Sequence, residues 1–174
     1  MTDRTPTTTT NLDRYGHDAL PWSRPRDLFV NQPPDEDTPF YLGTVRPDGR
    51  PHAAGIGPLW FDGDLYFTSN AETRKSRNLA ANPACTISGR LDGLDIVFEG
   101  EATRVTDPTI LEQVAARYRA GGWPAEVAGD AFTAPFSAPS AGPPPWQLYR
   151  LTCHTAIGVA TAEPHGATRW RFDG

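Results

Sequence analysis

The chain has 174 residues, of which 38% are hydrophobic, with 16 Lys+Arg against 21 Asp+Glu and a formal net charge of −5 at pH 7. That length fits one domain, and an acidic balance with pI ≈ 5.3 excludes a general nucleic-acid binder, so any phosphate recognition must be local. No apolar run approaches the ~20 residues of a membrane helix, and the opening MTDRTPTTTTNLDR lacks the apolar core of a signal peptide; the expectation is a soluble cytoplasmic protein with Cys85 and Cys153 as buried thiols.

Residues 1–15 are polar and threonine-rich and read as a disordered tail, leaving 16–174 as the domain. Trp22 to Val30 reads as a short helix, with Ser23 as its cap and Pro25 in its first turn. Pro33-Pro34 ends it, and its apolar residues suit a plug for a sheet. From Phe40 the pattern changes to strands joined by tight turns. Asp48-Gly49, Asp62-Gly63 and Asp92-Gly93 each separate apolar or alternating runs, a strong hairpin signal because both residue types tolerate positive φ. Leu94 to Val105 alternates as a strand with one wet face should. Antiparallel strands at this spacing predict a small barrel, mainly β with peripheral helices. Asp107 then caps a helix that begins at Pro108, runs through Ala120 and ends at Gly121-Gly122. Residues 123–146 form a Pro-rich stretch with little periodicity, read as a functional or mobile loop. WQLYRLTCHTAIGVAT gives one or two strands and Thr168 to Phe172 a last one.

The stretch from Leu65 to Ile87 holds the chemistry. A short strand, a polar turn, a basic helix and a second strand follow one another. Thr73 is a good N-cap, yet Arg74, Lys75 and Arg77 follow at once, where the helix dipole already places partial positive charge. An anion on the helix N-terminus would resolve that conflict, held by amides, the Thr73 hydroxyl and the basic heads. A solvated basic helix packed on a sheet is the alternative. Lys75 is the one lysine of the chain.

Gly49-Arg50-Pro51, Tyr66-Phe67-Thr68, Thr73-Arg74-Lys75 and Asn82-Pro83 together resemble the flavin-binding split β-barrel superfamily of pyridoxamine 5′-phosphate oxidase. The final Thr-Arg-Trp-Arg-Phe, residues 168–172, is similar to endings in its deazaflavin-using branch. The resemblance runs from Trp22 to Phe172 and implies an antiparallel split β-barrel. It also implies a homodimer with the cofactor at the subunit interface, the partner contributing from the strand at residues 94–103. In that reading Arg74 and Lys75 hold the cofactor phosphate and Thr73 caps. The backbone of Gly55, Ile56, Gly57, Pro58 and Leu59 runs along the ring, and Thr68 and Ser69 reach the ribityl chain or phosphate. Asn78, one turn beyond Arg74, is a cofactor contact or a helix-surface amide. The implied activity is that of an oxidoreductase passing hydride from coenzyme F420 to an activated double bond of a small planar molecule. FMN-dependent oxidoreduction is the rival, and a non-catalytic flavin- or tetrapyrrole-binding protein comes from a different class.

Other residues carry less. His52, His154 and His165 share no metal-ligand spacing, and His52 reads as a hairpin histidine unless it faces the cofactor. Trp146, Tyr149 and Trp170 suit a ring pocket or a core equally. Ser137 and Ser140 lack a base or an elbow motif for nucleophilic catalysis.

Overall fold

The structure is a computed structural model describing residues 4–35, 37–135 and 141–173. Ser137 and Ser140, with part of the Pro-rich stretch, lie outside the described residues.

After β1 (Thr8–Asn11) and α1 (Ser23–Asn31) come β2 (Phe40–Val45), β3 (Pro51–Ile56), β4 (Leu59–Phe61) and β5 (Asp64–Ser69). Helix α2 (Arg74–Ala81) follows, then β6 (Ala84–Leu91), β7 (Leu94–Val105) and α3 (Pro108–Ala120). The chain ends with β8 (Glu126–Ala128), β9 (Ala131–Thr133), β10 (Gln147–Ala160) and β11 (Ala167–Arg171). The three Asp-Gly turns form as expected, with Gly49, Gly63 and Gly93 at φ of 83°, 83° and 66°. Asp107 caps α3 by accepting from the amides of Thr109 and Ile110 at 2.8 and 3.0 Å.

The main sheet is antiparallel and runs β1-β11-β10-β7-β6-β2-β3, with β5 also on β10 and β4 on β5. β10 pairs with β7 along nearly its whole length. Its other edge serves two partners in turn, β5 from Gln147 to Leu151 and β11 from Thr155 to Val159. The register shift between Cys153 and Thr155 marks the handover. Among the described residues no ladder joins β3 to β4 or β5, so the barrel wall is split there and only the Gly57-Pro58 link crosses. This is the antiparallel split β-barrel architecture.

Two apolar clusters result. One fills the barrel with Phe40, Leu42, Ile87, Phe98, Leu151 and Trp170; α1 closes it through Phe29, whose ring stacks on Trp60 at 5.5 Å and meets Phe98 edge-on at 5.7 Å. Burying one such ring contributes roughly 1.5–3 kcal/mol. The other cluster packs Leu111, Val114 and Ala115 of α3 on Tyr66, Phe132, Trp146 and Leu148. Trp146, Tyr149 and Trp170 are all buried in these clusters.

Three local expectations are corrected. Residues 8–11 of the expected disordered tail form β1 on β11, because threonines suit an edge strand and β11 offers an unpaired edge. Ser23 does not cap α1: the N-cap is Trp22, with no side-chain cap bond. That end is held by Trp22 packing on Phe172 at 4.8 Å and Trp170 at 5.4 Å, and by Arg24 donating to the carbonyls of Gly93, Ala162 and Pro164. The Pro-rich stretch contains the β8-β9 hairpin, tied at Phe132 to Trp146 by a pair of backbone hydrogen bonds of 2.7 and 2.8 Å.

Cys85 and Cys153 are both free and both sit opposite Gly100, from β6 and β10 respectively. Two strand spacings separate them, about 10 Å, beyond disulfide reach. Burial pushes both thiols up to about 12. A Cβ at Gly100 would collide with the backbone carbonyl of Thr152, which the β7-β10 ladder prevents from moving. Gly100→Ala is therefore expected to destabilise the fold by about 3 kcal/mol, read from urea unfolding; a loss under about 1 kcal/mol would mean that the ladder yields there.

Candidate functional site

The site is built where β5 turns into α2. Ser69 ends β5 and is fully buried. Its hydroxyl lies 2.7 Å from Thr73 Oγ1 and accepts from Ser76 Oγ at 2.9 Å. Thr73 is the N-cap, accepting from the Ser76 amide at 3.3 Å and donating to the Asn70 carbonyl at 2.9 Å. Three hydroxyls thus lock the helix start onto the end of a barrel strand. Their bonds consume Ser69, which forms the floor of the turn rather than its surface. Thr68, one residue earlier, is half-buried opposite Leu148 of β10.

Above that floor stand the cations. Arg74 is exposed, whereas Lys75 is only 4% exposed, and burial pushes its ammonium below the ordinary lysine value. The first amide to donate within α2 is that of Arg77, to the Thr73 carbonyl at 3.1 Å, so the amides ahead of it point off the helix N-terminus. Burial, and then Arg46, Arg74 and Lys75, lower the His52 imidazole below its usual value. Four basic side chains from β3, α2 and the β2-β3 turn therefore share one neighbourhood. Arg77, which the sequence grouped with them, instead pairs with Glu72 at 3.0 Å on the surface.

Asn78 is fully buried one turn along α2. Its Nδ2 donates to Thr44 Oγ1 at 3.0 Å, and Thr44 Oγ1 lies 3.4 Å from His52 Nδ1. Asn78 Oδ1 has no hydrogen-bond partner among the described residues. Buried polar atoms are rarely left so, which marks this helix face as incomplete without a ligand or water.

The other predicted residues line the split. Gly55 and Gly57 are exposed, Ile56 and Pro58 buried, and Leu59 half-buried. A methyl group added at Gly55 or Gly57 would meet no heavy atom within 4 Å. The space beside this backbone is open, as a flat group lying along it requires. Amides, two cations and hydroxyls at a helix start are the donor set for a phosphate, so the chain's own residues fit the anionic cofactor that the sequence resemblance implied. Among the described residues no group of three His, Cys, Asp or Glu stands close enough to hold a metal ion.

Sequence reasoning missed Ser76 and Thr44. Ser76, three residues after the Thr73 cap, was legible as a capping position. Thr44 was not, since only the β2-β3 register sets it opposite His52.

A family model described as pyridoxamine 5′-phosphate oxidase matches residues 30–159. The pyridoxine/pyridoxamine 5′-phosphate oxidase of Bacteroides thetaiotaomicron is 36% identical over 75 residues, 41% of this chain and 35% of that enzyme. The match thus spans about a third of that relative's length. Among solved structures, a pyridoxamine 5′-phosphate oxidase-related, FMN-binding protein of Nostoc punctiforme aligns with TM-score 0.59 at 20% identity, covering 86% of this chain and 90% of that one. PhzG of Burkholderia lata, in complex with tetrahydrophenazine-1-carboxylic acid, aligns with TM-score 0.57 at 17% identity, covering 87% and 85%. These two establish a shared fold. The family model extends from the end of α1 through β10 and takes in every residue of the α2 site, and the chain belongs to the pyridoxamine 5′-phosphate oxidase family.

Proposed function

We propose that the chain is an oxidoreductase whose cofactor seats its phosphate at the start of α2 and its ring along residues 55–59, with coenzyme F420 as that cofactor. One observation carries the reading: the chain's one lysine is buried in the first turn of α2 beside Arg74, where both desolvation and the helix dipole oppose a cation. A bound anion offsets both costs at once. The preference for F420 rests on the resemblance of residues 168–172 to that branch.

The bound cofactor supplies hydride chemistry. The chain's residues bind, orient and shield: Lys75 and Arg74 neutralise the phosphate, Thr73 fixes the helix start, and the Gly55 to Leu59 backbone gives the ring a flat wall. The substrate class is a small planar molecule with an activated double bond. A homodimer is part of this reading, because β3 is an edge strand with Pro51, Ala53 and Gly55 exposed and Tyr41 half-exposed on neighbouring β2, an edge that needs covering. No described helix is long and apolar enough to cross a membrane; a cytoplasmic site of action belongs to the proposal.

FMN is the second reading, favoured by one observation. F420 adds an anionic tail that needs further cations, yet Arg50, Arg77 and Arg104 already pair with Asp48, Glu72 and Asp130 at 2.8, 3.0 and 2.6 Å. Such exposed pairs are weak and exchangeable, so they compete with a tail without blocking it. Arg169 and Arg171 lie on β11, remote from β3 along the ladder.

Lys75→Met keeps the apolar stem and removes the charge. Its affinity for F420 or FMN is expected to fall at least about tenfold, as for loss of one charged hydrogen bond. Because the folded-state pKa of Lys75 lies below its unfolded value of 10.5, the unfolded chain binds the proton more tightly. Stability therefore rises with pH as it climbs from the depressed value towards the unfolded one. The ligand-free variant should accordingly melt no lower than wild type at pH 7. Unchanged affinity, or a lower melting temperature, would remove the assigned role.

If the site spans two chains, added cofactor should drive dimer formation by linkage. Sedimentation with and without F420 checks this, and a monomer binding at full strength would contradict the interface.

Salt separates the cofactors. Contacts to an exposed anionic tail are screened as the Debye length falls from roughly 10 Å at 0.1 M to about 3 Å at 1 M. F420 is expected to bind more tightly than FMN at low salt, with the advantage shrinking as salt rises. Equal or tighter FMN binding at low salt, with turnover on FMN, would replace F420 by FMN.

A further inference from the structure

On sequence His52 is a hairpin histidine unless it faces the cofactor, and the proposed function gives it no role. Its surroundings bear on both its charge and its tautomer. The β2-β3 register sets Thr44 directly opposite His52, with α2 packed over both strands. A threonine hydroxyl has one proton and two lone pairs. Asn78 Nδ2 donates into one lone pair at 3.0 Å, which leaves the Thr44 proton and a second lone pair to face His52 Nδ1, 3.4 Å away. Where Nδ1 accepts that proton it carries none itself, and in a neutral imidazole the proton then sits on Nε2. That second nitrogen has no hydrogen-bond partner among the described residues.

The groups that act on the imidazole are Arg46, Arg74 and Lys75, all cations. A fourth positive charge would be repelled there, whereas a neutral N–H dipole can approach an anion between cations without that repulsion. Asn78 anchors the relay from a fully buried position, and its Oδ1 has no partner. The relay is therefore tied down at one end and open at both its unused polar atoms, Nε2 and Oδ1.

We propose that His52 is a direct ligand of the anion bound at the start of α2, donating from Nε2, and that Thr44 and Asn78 are positioning residues that hold it in the Nε2–H tautomer. This rests on the α2 phosphate site proposed above and adds to it a third side-chain donor, a neutral one, from the neighbouring strand β3. Lys75 and Arg74 attract any anion, while the fixed Nε2–H sets the direction in which a phosphate oxygen must lie.

Long-range proton–nitrogen spectra of the full chain labelled on histidine nitrogen read the tautomer directly. There are 4 histidines, and the spectrum of His52→Gln assigns the one at issue. At neutral pH His52 should show a protonated Nε2 and a bare Nδ1, and titration with FMN or F420 should shift its Nε2 signal. Affinity for the same two cofactors should fall about tenfold in His52→Ala, the loss of one charge-assisted hydrogen bond. His52→Gln, whose Nε2 can still donate, should stay within about threefold of wild type. Thr44→Val should give a mixture of tautomers and an intermediate affinity, a result that a merely structural threonine would not produce.

An Nδ1–H tautomer in the free protein overturns the proposal, since it means that Thr44 accepts from His52 instead of donating to it. So does wild-type affinity in His52→Ala where Lys75→Met has lost binding, and in that case the phosphate site itself stands. If Lys75→Met also binds like wild type, or neither cofactor binds the wild-type chain, the underlying reading fails and this one with it. Should His52→Ala fold poorly, the spectra of wild type and Thr44→Val decide the matter alone.

Discussion

The structure depends on the ladder between β7 and β10. It runs from the Leu148–Val105 pair to the Ala160–Leu94 pair, and every other main-sheet strand is attached to one side of it or the other. β6, β2 and β3 extend from β7, while β5 and β11 share the far edge of β10 in succession. The bulge at Cys153–Thr155 allows that sharing, because an extra residue re-aims the strand and ends one pairing before the next begins. Gly100, opposite Cys153, is what lets the two backbones stay close there. A barrel assembled this way leaves β3 as a free edge, with open space beside Gly55 and Gly57.

The same ladder positions the site. β5 is fixed by β10, and Ser69 at its end offers a buried hydroxyl to Thr73 and Ser76. Helix α2 is thereby fastened at its N-terminus, the end where its dipole is positive. Fastening that end presents Arg74 and Lys75 in a fixed direction at the cost of placing one cation out of water. Marginally stable folds retain such costs mainly where binding offsets them, which is why the lysine's burial says more than its charge alone.

Away from α2, the barrel is closed by aromatic packing. Trp22 and Phe29 of the α1 region meet Trp60, Phe98, Trp170 and Phe172. The Thr168 to Phe172 motif belongs to this closure: Trp170 is fully buried, and Thr168 Oγ1 accepts from the Leu20 amide at 2.7 Å. Its place in the structure is architectural, distant along β10 from the turn between β5 and α2.

Features governed by neighbours in the chain were legible in the sequence. The Asp-Gly turns, the Asp107 cap with Pro108 and the Thr73 cap each depend on φ preferences or on hydrogen bonds spanning two to four residues, and the basic start of α2 is written in consecutive residues. The barrel followed from strand spacing, while the candidate-site residues were named from motif resemblance. What tertiary structure decided was whatever depends on partners distant in sequence. β1 formed because β11 offered an edge, at a separation no local propensity reveals. Ser69 and Lys75 became buried because α2 packs against β2 and β3. Asn78, read as a helix-surface amide or a cofactor contact, turned inward to Thr44, which in turn lies against His52. Register slips by one residue reverse every side chain on a strand, so the pairing of Thr44 with His52 existed only once β2 and β3 had chosen theirs.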